Sequence, residues 1–327
     1  MQNYSRIEKI LHDIVLSNKF INKSLFEIEK IIFGKNLDFK NKTHLFITSL
    51  PRSGTTSLLN FIYETGNYGS LTYRNMPFIL SPNLSKLFHI NSIKKKERLH
   101  KDGINYDINS PEALDEIFFK NEYEFVKLEL VNYINLILFS EKKYTYLSKN
   151  NLNYKRIDLI KSLFPNTKFL IPIREPLHQA YSLYKQHIHF SKLQKEDDFI
   201  RRYMNYLGHN EFALNHKPWN KPEFFLDLNH ANYWLEQWYL FYKNIYNKYH
   251  NHSNCVFIVY EELINNNYLE KIIEKIDLKL NANSKFNFFK NSNVKKLDIE
   301  FNEGLLTKAK DIYKKYISLQ FHNLKKS

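Results

Sequence analysis

Six consecutive residues, Pro51-Arg52-Ser53-Gly54-Thr55-Thr56, combine a fixed positive charge, a glycine and three hydroxyls in one short stretch. They follow a short apolar run, His44 to Leu50, which reads as a buried strand. After them, Leu58, Leu59, Ile62 and Tyr63 recur at helical spacing within Ser57 to Tyr63. A strand, a tight glycine turn and a helix expose successive backbone N–H groups, and the positive end of the helix dipole faces whatever the turn holds. Ser53, Thr55, Thr56 and Ser57 add hydroxyl donors, and Arg52 adds the charge. The loop has a single glycine and no Gly-Lys-Ser/Thr ending, so the triphosphate pattern G-x-x-x-x-G-K-[ST] is absent. Such a loop suits a monophosphate or phosphosulfate better than a triphosphate with magnesium. Alone, the turn is also an ordinary helix start, because Ser and Thr favour that position.

A second passage of the same kind shifts the balance. Lys168 to Ile173 reads as a strand, Arg174 sits at its end, and Pro176 suits the first turn of a helix running from Leu177 to Phe190. Ser182 falls in the early turns of that helix. An arginine fork with a hydroxyl beside it would hold a second phosphate. Two anion sites at the carboxyl ends of strands suggest a nucleotide phosphorylated at two positions of its ribose.

The elements that would carry these loops form a repeating pattern. Tyr154 to Leu163 reads as a helix, closed by the turn Phe164-Pro165-Asn166. Tyr233 to Tyr249 is an aromatic helix that leads to a third strand, Cys255 to Val259. Gly304 to Asn323 reads as a closing helix and Asn281 to Asn293 as a surface loop. Strand, polar turn and helix in repetition predict an α/β fold, a parallel central sheet flanked by helices. Ahead of it, Tyr4 to Phe33 reads as one or two amphipathic helices. Ile7, Ile10, Leu11, Ile14 and Val15 are expected to form the face that packs on the main domain. The division is residues 1–40 as a helical segment and 41–327 as the main domain.

Composition narrows the function classes. With 327 residues, 43% of them hydrophobic, the chain can bury a sizeable core. Gly (7) and Pro (9) are scarce while Tyr (23) and Phe (26) are abundant, the opposite of a disordered composition. Cys255 is the single cysteine, which excludes an internal disulfide and points to a reducing compartment. The net charge of +14 is compatible with a generally basic surface, an anion cleft or nucleic-acid binding. The charge is spread along the chain, runs such as Lys94-Lys95-Lys96 are short, and no nucleic-acid motif is present, so no nucleic-acid partner is expected. Met1 to Lys19 lacks the apolar core of a secretory signal. The longest apolar stretch, Val131 to Phe139, is interrupted by Asn132 and Asn135 and is shorter than the roughly 20 residues a membrane helix needs. The expectation is a soluble cytoplasmic protein. No His/Cys cluster has metal-ligand spacing, so no metal is expected.

At this point the sequence resembles the sulfotransferases that use PAPS (3'-phosphoadenosine 5'-phosphosulfate). Pro51-Arg52-Ser53-Gly54-Thr55-Thr56 is similar to their P-loop-like 5'-phosphosulfate loop. Phe164-Pro165-Asn166-Thr167-Lys168, Ile173-Arg174-Glu175-Pro176 and Tyr181-Ser182 are similar to their 3'-phosphate motif. His100-Lys101-Asp102-Gly103, Ser110-Pro111-Glu112-Ala113-Leu114-Asp115-Glu116, Lys149-Asn150-Asn151 and Gly208-His209-Asn210-Glu211-Phe212 resemble a bacterial branch of that superfamily. The resemblance runs from about His44 to about Glu262. It implies that Arg52, Ser53, Gly54, Thr55, Thr56 and Ser57 hold the 5' side of PAPS, and later PAP, and that Arg174 and Ser182 hold the 3'-phosphate. Arg52 would also neutralise charge on the leaving oxygen.

The acceptor side is less legible. Relatives use His or Glu as general base; several place a Glu after the loop's helix, where this chain has Tyr73-Arg74-Asn75. His100 is the first candidate base and Glu112 the second. A solvated histidine and a plain helix start (Ser110 as N-cap, Pro111 and Glu112 in the first turn) are the competing explanations. Glu112 and Glu116 would share a helical face. Arg74, Lys149 and His209 are candidate acceptor contacts. His178, His187 and His189 read as helix surface, and Lys308, Lys310, Lys314 and Lys315 as either a closing basic motif or a solvated face. The implied acceptor is a carbohydrate, lipid or small molecule with a hydroxyl or amine. Two other functions remain compatible: an ATP-dependent kinase and a PAP-binding member of the fold without catalysis.

Overall fold

The computed structural model describes residues 6–35, 37–88, 96–97, 105–280, 289 and 299–323. Its strands are β1 (Leu45–Ile47), β2 (Lys96–Glu97), β3 (Asn105–Tyr106), β4 (Leu147–Lys149), β5 (Lys168–Ile173) and β6 (Cys255–Val259). Its α-helices are α1 (Arg6–Ser17), α2 (Lys19–Phe33), α3 (Thr55–Glu64), α4 (Glu116–Lys120), α5 (Val126–Glu141) and α6 (Ile157–Leu163). They continue with α7 (Pro176–Glu196), α8 (Asp198–Tyr206), α9 (Ala231–Tyr249), α10 (Asn266–Lys275) and α11 (Glu303–Asn323).

Four strands form one parallel sheet in the order β4-β1-β5-β6, while β2 and β3 pair antiparallel outside it. The apolar runs read as strands because both faces of this sheet are covered. Leu45, Ile47, Leu147, Leu170, Val256 and Ile258 point to one face, where Leu58, Leu59 and Ile62 of α3 and Leu269, Ile272 and Ile273 of α10 pack. Phe46, Phe169, Ile171, Ile173, Cys255 and Phe257 point to the other, against residues of α5, α6, α7, α9 and α11. The result is a helix–sheet–helix sandwich, the predicted class.

Strand order places the loops. β1 lies between β4 and β5, so the chain leaving β1 goes to one side and the chain leaving β5 goes to the other. Loops diverging at such a switch point open a crevice at the carboxyl ends of the strands. Pro51–Gly54 and Arg174 lie on its two sides.

Two expectations, on the face of α1 and on His187, are corrected. The apolar face of α1 is rotated: Ile7, Ile10 and Ile14 are 80%, 58% and 52% exposed, while His12, Val15 and Leu16 are buried. The His12 ring packs against Phe199 and Tyr203 of α8, and Asp13 pairs with Arg202, which fixes the helix in that rotation. The stretch Val131 to Phe139 belongs to α5, a core helix; Asn135 bonds the backbone of Lys35 and Leu37 and so ties α5 to the segment after α2. His187 is buried, not surface, and its Nδ1 accepts from the Ala213 amide. Among the described residues no helix is long and apolar enough to cross a membrane. Most of the tract Asn281 to Asn293 lies outside the described residues.

Candidate active site

The loop after β1 is held from below by a buried polar network. The Thr48 amide donates to Leu170 O at 3.0 Å, extending the β1–β5 ladder by one residue. Ser49 Oγ donates to Pro172 O at 2.6 Å and lies 2.9 Å from the Tyr242 hydroxyl. Gln179 of α7 donates to Pro51 O at 2.9 Å, while its Oε1 accepts from Trp238 Nε1 and the Tyr242 hydroxyl at 3.0 and 3.2 Å. Burial drives the Tyr242 pKa up, so its hydroxyl stays a proton donor. A satisfied buried network of this kind fixes a loop rigidly.

Two residues of the loop adopt left-handed backbone: Arg52 at φ 67° and Gly54 at φ 91°. Glycine is required at position 54 on two grounds. The conformation disfavours a side chain, and a Cβ there would meet the Tyr260 ring at 2.2 Å. Gly54 is the N-cap of α3 and provides no side-chain cap, so the first-turn amides of α3 are left to other acceptors. At the start of α7, by contrast, the Glu175 carboxylate accepts from the His178 amide. The two strand-to-helix turns therefore differ: the first presents amides that no side chain caps among the described residues, the second presents side chains.

Those side chains are Arg174 and Ser182. Arg52 Nε donates to Ser182 Oγ at 3.0 Å, and Arg174 Nη1 donates to Arg52 O at 3.3 Å. Both anion motifs of the sequence thus meet through Arg52. The Arg174 guanidinium lies 5.7 Å from the Tyr260 ring centre, and its Nε is buried with no partner among the described residues. A buried guanidinium N–H without an acceptor is costly unless a ligand fills that role. Glu261, the next residue after Tyr260, accepts from the Glu175 amide at 2.9 Å and from the Tyr313 hydroxyl of α11 at 2.7 Å. The closing helix therefore reaches this region through Tyr313. Lys308, Lys310, Lys314 and Lys315 are exposed on it. Among the loop hydroxyls, Ser53 Oγ is fully buried and donates to Leu50 O at 2.8 Å, so it props the turn from within. Thr56 faces the cleft.

That cleft, of about 120 Å³, opens beside Arg52 and gathers residues from six parts of the chain. Arg52, Thr55 and Thr56 form one wall; Glu112 and Tyr73, Lys149 at the end of β4, and His209 form others. Arg52, Glu112, Lys149 and His209, all named from sequence, are brought together. Glu112 is buried; its Oε2 accepts from the Tyr73 hydroxyl and its Oε1 from the Ala113 amide at 2.8 Å. No helix begins at Ser110: Ser110 pairs with Asp107, and α4 starts only at Glu116. The helix-start explanation for Glu112 is therefore replaced by a buried carboxylate in an extended turn. Glu116 lines the same cleft but is engaged by a two-pronged pair with Arg156, both contacts at 2.8 Å, and by Asn150.

One candidate acceptor contact stands apart from the cleft. Arg74 is outside its lining and bonds Asn109. His100 lies outside the described residues. Sequence reasoning missed Tyr73 as the partner of Glu112, and Tyr260 as the ring against Gly54 and Arg174. Tyr260 had a usable signal, since it directly follows a predicted strand at the functional edge of the sheet. Among the described residues no group of three or more His, Cys, Asp or Glu could hold a metal ion.

The model of the sulfotransferase family matches residues 44–282, well over half of the chain, and the chain belongs to that family. The crystal structure of a sulfotransferase from Mycobacterium tuberculosis is similar at a TM-score of 0.53 and 10% identity, covering 86% of this chain and 80% of that one. A sulfotransferase from Mycobacterium avium gives a TM-score of 0.50 at 12% identity, over 97% of this chain and 87% of that one. Likeness at such identity is likeness of fold. No curated protein matches the chain.

Proposed function

We propose that the chain transfers a sulfuryl group from PAPS to a hydroxyl or amine of a carbohydrate, lipid or small-molecule acceptor, with residues 41–327 as the transferase domain and 1–40 as a helical annex. The observation that carries the reading is the buried Nε of Arg174, which has no partner among the described residues, beside the start of α3, which has no side-chain cap. These features fit a donor with phosphates at two ribose positions. Gly54 and the amides of Thr55, Thr56 and Ser57 would hold the 5' side, and Arg174 with Ser182 the 3'-phosphate. When bound, PAPS supplies the sulfuryl group and departs as PAP.

The protein's own residues then have separable tasks. Glu112 takes the proton from the acceptor hydroxyl as its oxygen bonds to sulfur, and Tyr73 orients that carboxylate. Arg52 neutralises the oxygen left behind when the sulfur–oxygen bridge breaks. Lys149 and His209 border the space where the acceptor lies. Most of the rate comes from positioning and electrostatic stabilisation.

Transfer from radiolabelled PAPS to a panel of neutral and acidic sugars, lipids and small alcohols tests the proposal. Acceptor-dependent label transfer that disappears in both Arg174→Ala and Glu112→Gln is expected. Transfer that persists unchanged in Glu112→Gln would remove that residue from the mechanism. Labelled ATP donating a phosphoryl group in its place would replace the whole reading.

A further inference from the structure

A second cavity, of about 270 Å³, adjoins the cleft. Glu116, Leu152, Gly208 and Glu211 line both spaces, so the two share a wall. The far side is made by Lys120, Lys155, Asn210, Lys217, Pro218 and Trp219. The acids on the shared wall are already engaged: Glu116 by Arg156, and Glu211 by the Asn151 amide at 3.2 Å. The lysines are not matched in that way. Among the described residues none of the three ammonium groups is paired with a carboxylate. Lys120 donates to the last carbonyls of α8, Asn205 O and Tyr206 O, which fixes its charge at the cavity wall. Burial first, and then the charge of Lys217, depress the Lys120 pKa against the pull of Glu116.

Lys120 is half-buried in the wall, while Lys155 and Lys217 are exposed at the rim. Like charges around one concavity are unfavourable until an anion joins them, and this concavity borders the cleft that holds Glu112. Polar acceptors are present as well. Asn151 Oδ1, on the cleft side, and Asn210 Oδ1, on the far side, are buried without partners among the described residues. Carbonyl oxygens of this kind accept from hydroxyls. Leu152, Pro218 and Trp219 supply apolar surface to the cavity wall.

We propose that this cavity is the distal subsite for an anionic, polyhydroxylated acceptor, whose carboxylate, phosphate or sulfate is held by Lys120, Lys155 and Lys217 while a hydroxyl reaches Glu112. The inference rests on the sulfotransferase reading only in taking the cleft as the place of that hydroxyl.

Binding without donor tests it. Glucose, glucuronate, glucose 6-phosphate and glucose 6-sulfate share one frame and differ in the group at one carbon. Titration into wild type should show at least one anionic sugar binding about tenfold or more tighter than glucose, and the ranking identifies the anion. Lys155→Gln/Lys217→Gln, checked for unchanged melting temperature, should lose that preference, while Arg174→Ala should keep it. Equal binding of all four sugars to wild type, or a preference that survives in the double lysine variant, would overturn the subsite. PAP failing to bind wild type, with the anion preference intact, would count against the donor reading and in favour of the basic subsite.

Discussion

The two halves of the candidate site are built differently. The half proposed to take the donor is made from turns that directly follow β1, β5 and β6, and it is anchored by Ser49, Gln179, Trp238 and Tyr242 inside the core. The half proposed to take the acceptor is made from the segment before α4, the end of β4 and the loop after α8, and it is joined by side-chain pairs such as Arg156 with Glu116. A turn whose position is set by a parallel sheet can be specified by a few adjacent residues. A wall collected from distant loops depends on how those loops pack. One scaffold can therefore keep its donor chemistry while its acceptor varies.

The largest effect separating the halves should come from Glu112→Gln. It should lower kcat by about 10²- to 10⁴-fold, the range for removing a general base, and leave PAP affinity unchanged in a calorimetric titration. If PAP affinity falls in parallel, the halves are not separable. Next, Gly54→Ala should cost roughly 1–3 kcal/mol of stability through its left-handed backbone, and its Cβ would also strike Tyr260. In a double-mutant cycle, Tyr260→Ala should recover part of that cost. Strict additivity would show that the ring contact is unimportant.

The asymmetry also explains what was legible in the sequence. β5 and β6 coincide with the apolar runs Lys168 to Ile173 and Cys255 to Val259, because strands covered on both faces read as continuous apolar segments. Gly54 and Arg174 were found because the glycine turn and the strand-end arginine are local patterns. The rotation of α1 was not legible: its isoleucines form the more regular stripe, yet aromatic contacts of His12 with α8 decide which face is buried. The surroundings of Glu112 were misread because Ser-Pro-Glu looks like a helix start, and only the pairing of Ser110 with Asp107 prevents one. Tyr73 lies 39 residues from Glu112, and no spacing rule joins them.

Smaller effects sharpen the contrast further. Ser182→Ala removes the hydroxyl that Arg52 touches and should weaken PAP binding by about 0.5–1.5 kcal/mol, the net worth of one hydrogen bond. Acceptor KM should not move; if it does, Ser182 serves both halves. On the acceptor side, Asp115 is buried, and desolvation raises its pKa from 3.8 to about 6 against the bonds from Ser148 and Tyr146. A raised pKa means that its stabilising contribution is complete below pH 3.8 and is lost as the pH climbs through about 6. In Asp115→Asn that part of the pH slope should vanish from chemical-denaturation curves. An unchanged slope would show that Asp115 does not titrate in this window.

The most direct test of the central claim is thermal stability with and without PAP, in wild type and in Arg174→Ala. A ligand that binds only the folded state adds about 2.7 kcal/mol at roughly a hundred times its dissociation constant. The account predicts a clear upward shift of the wild-type melting temperature and none in the variant. A wild type unmoved by PAP but stabilised by ATP with magnesium, or a variant that shifts as much as wild type, would contradict it.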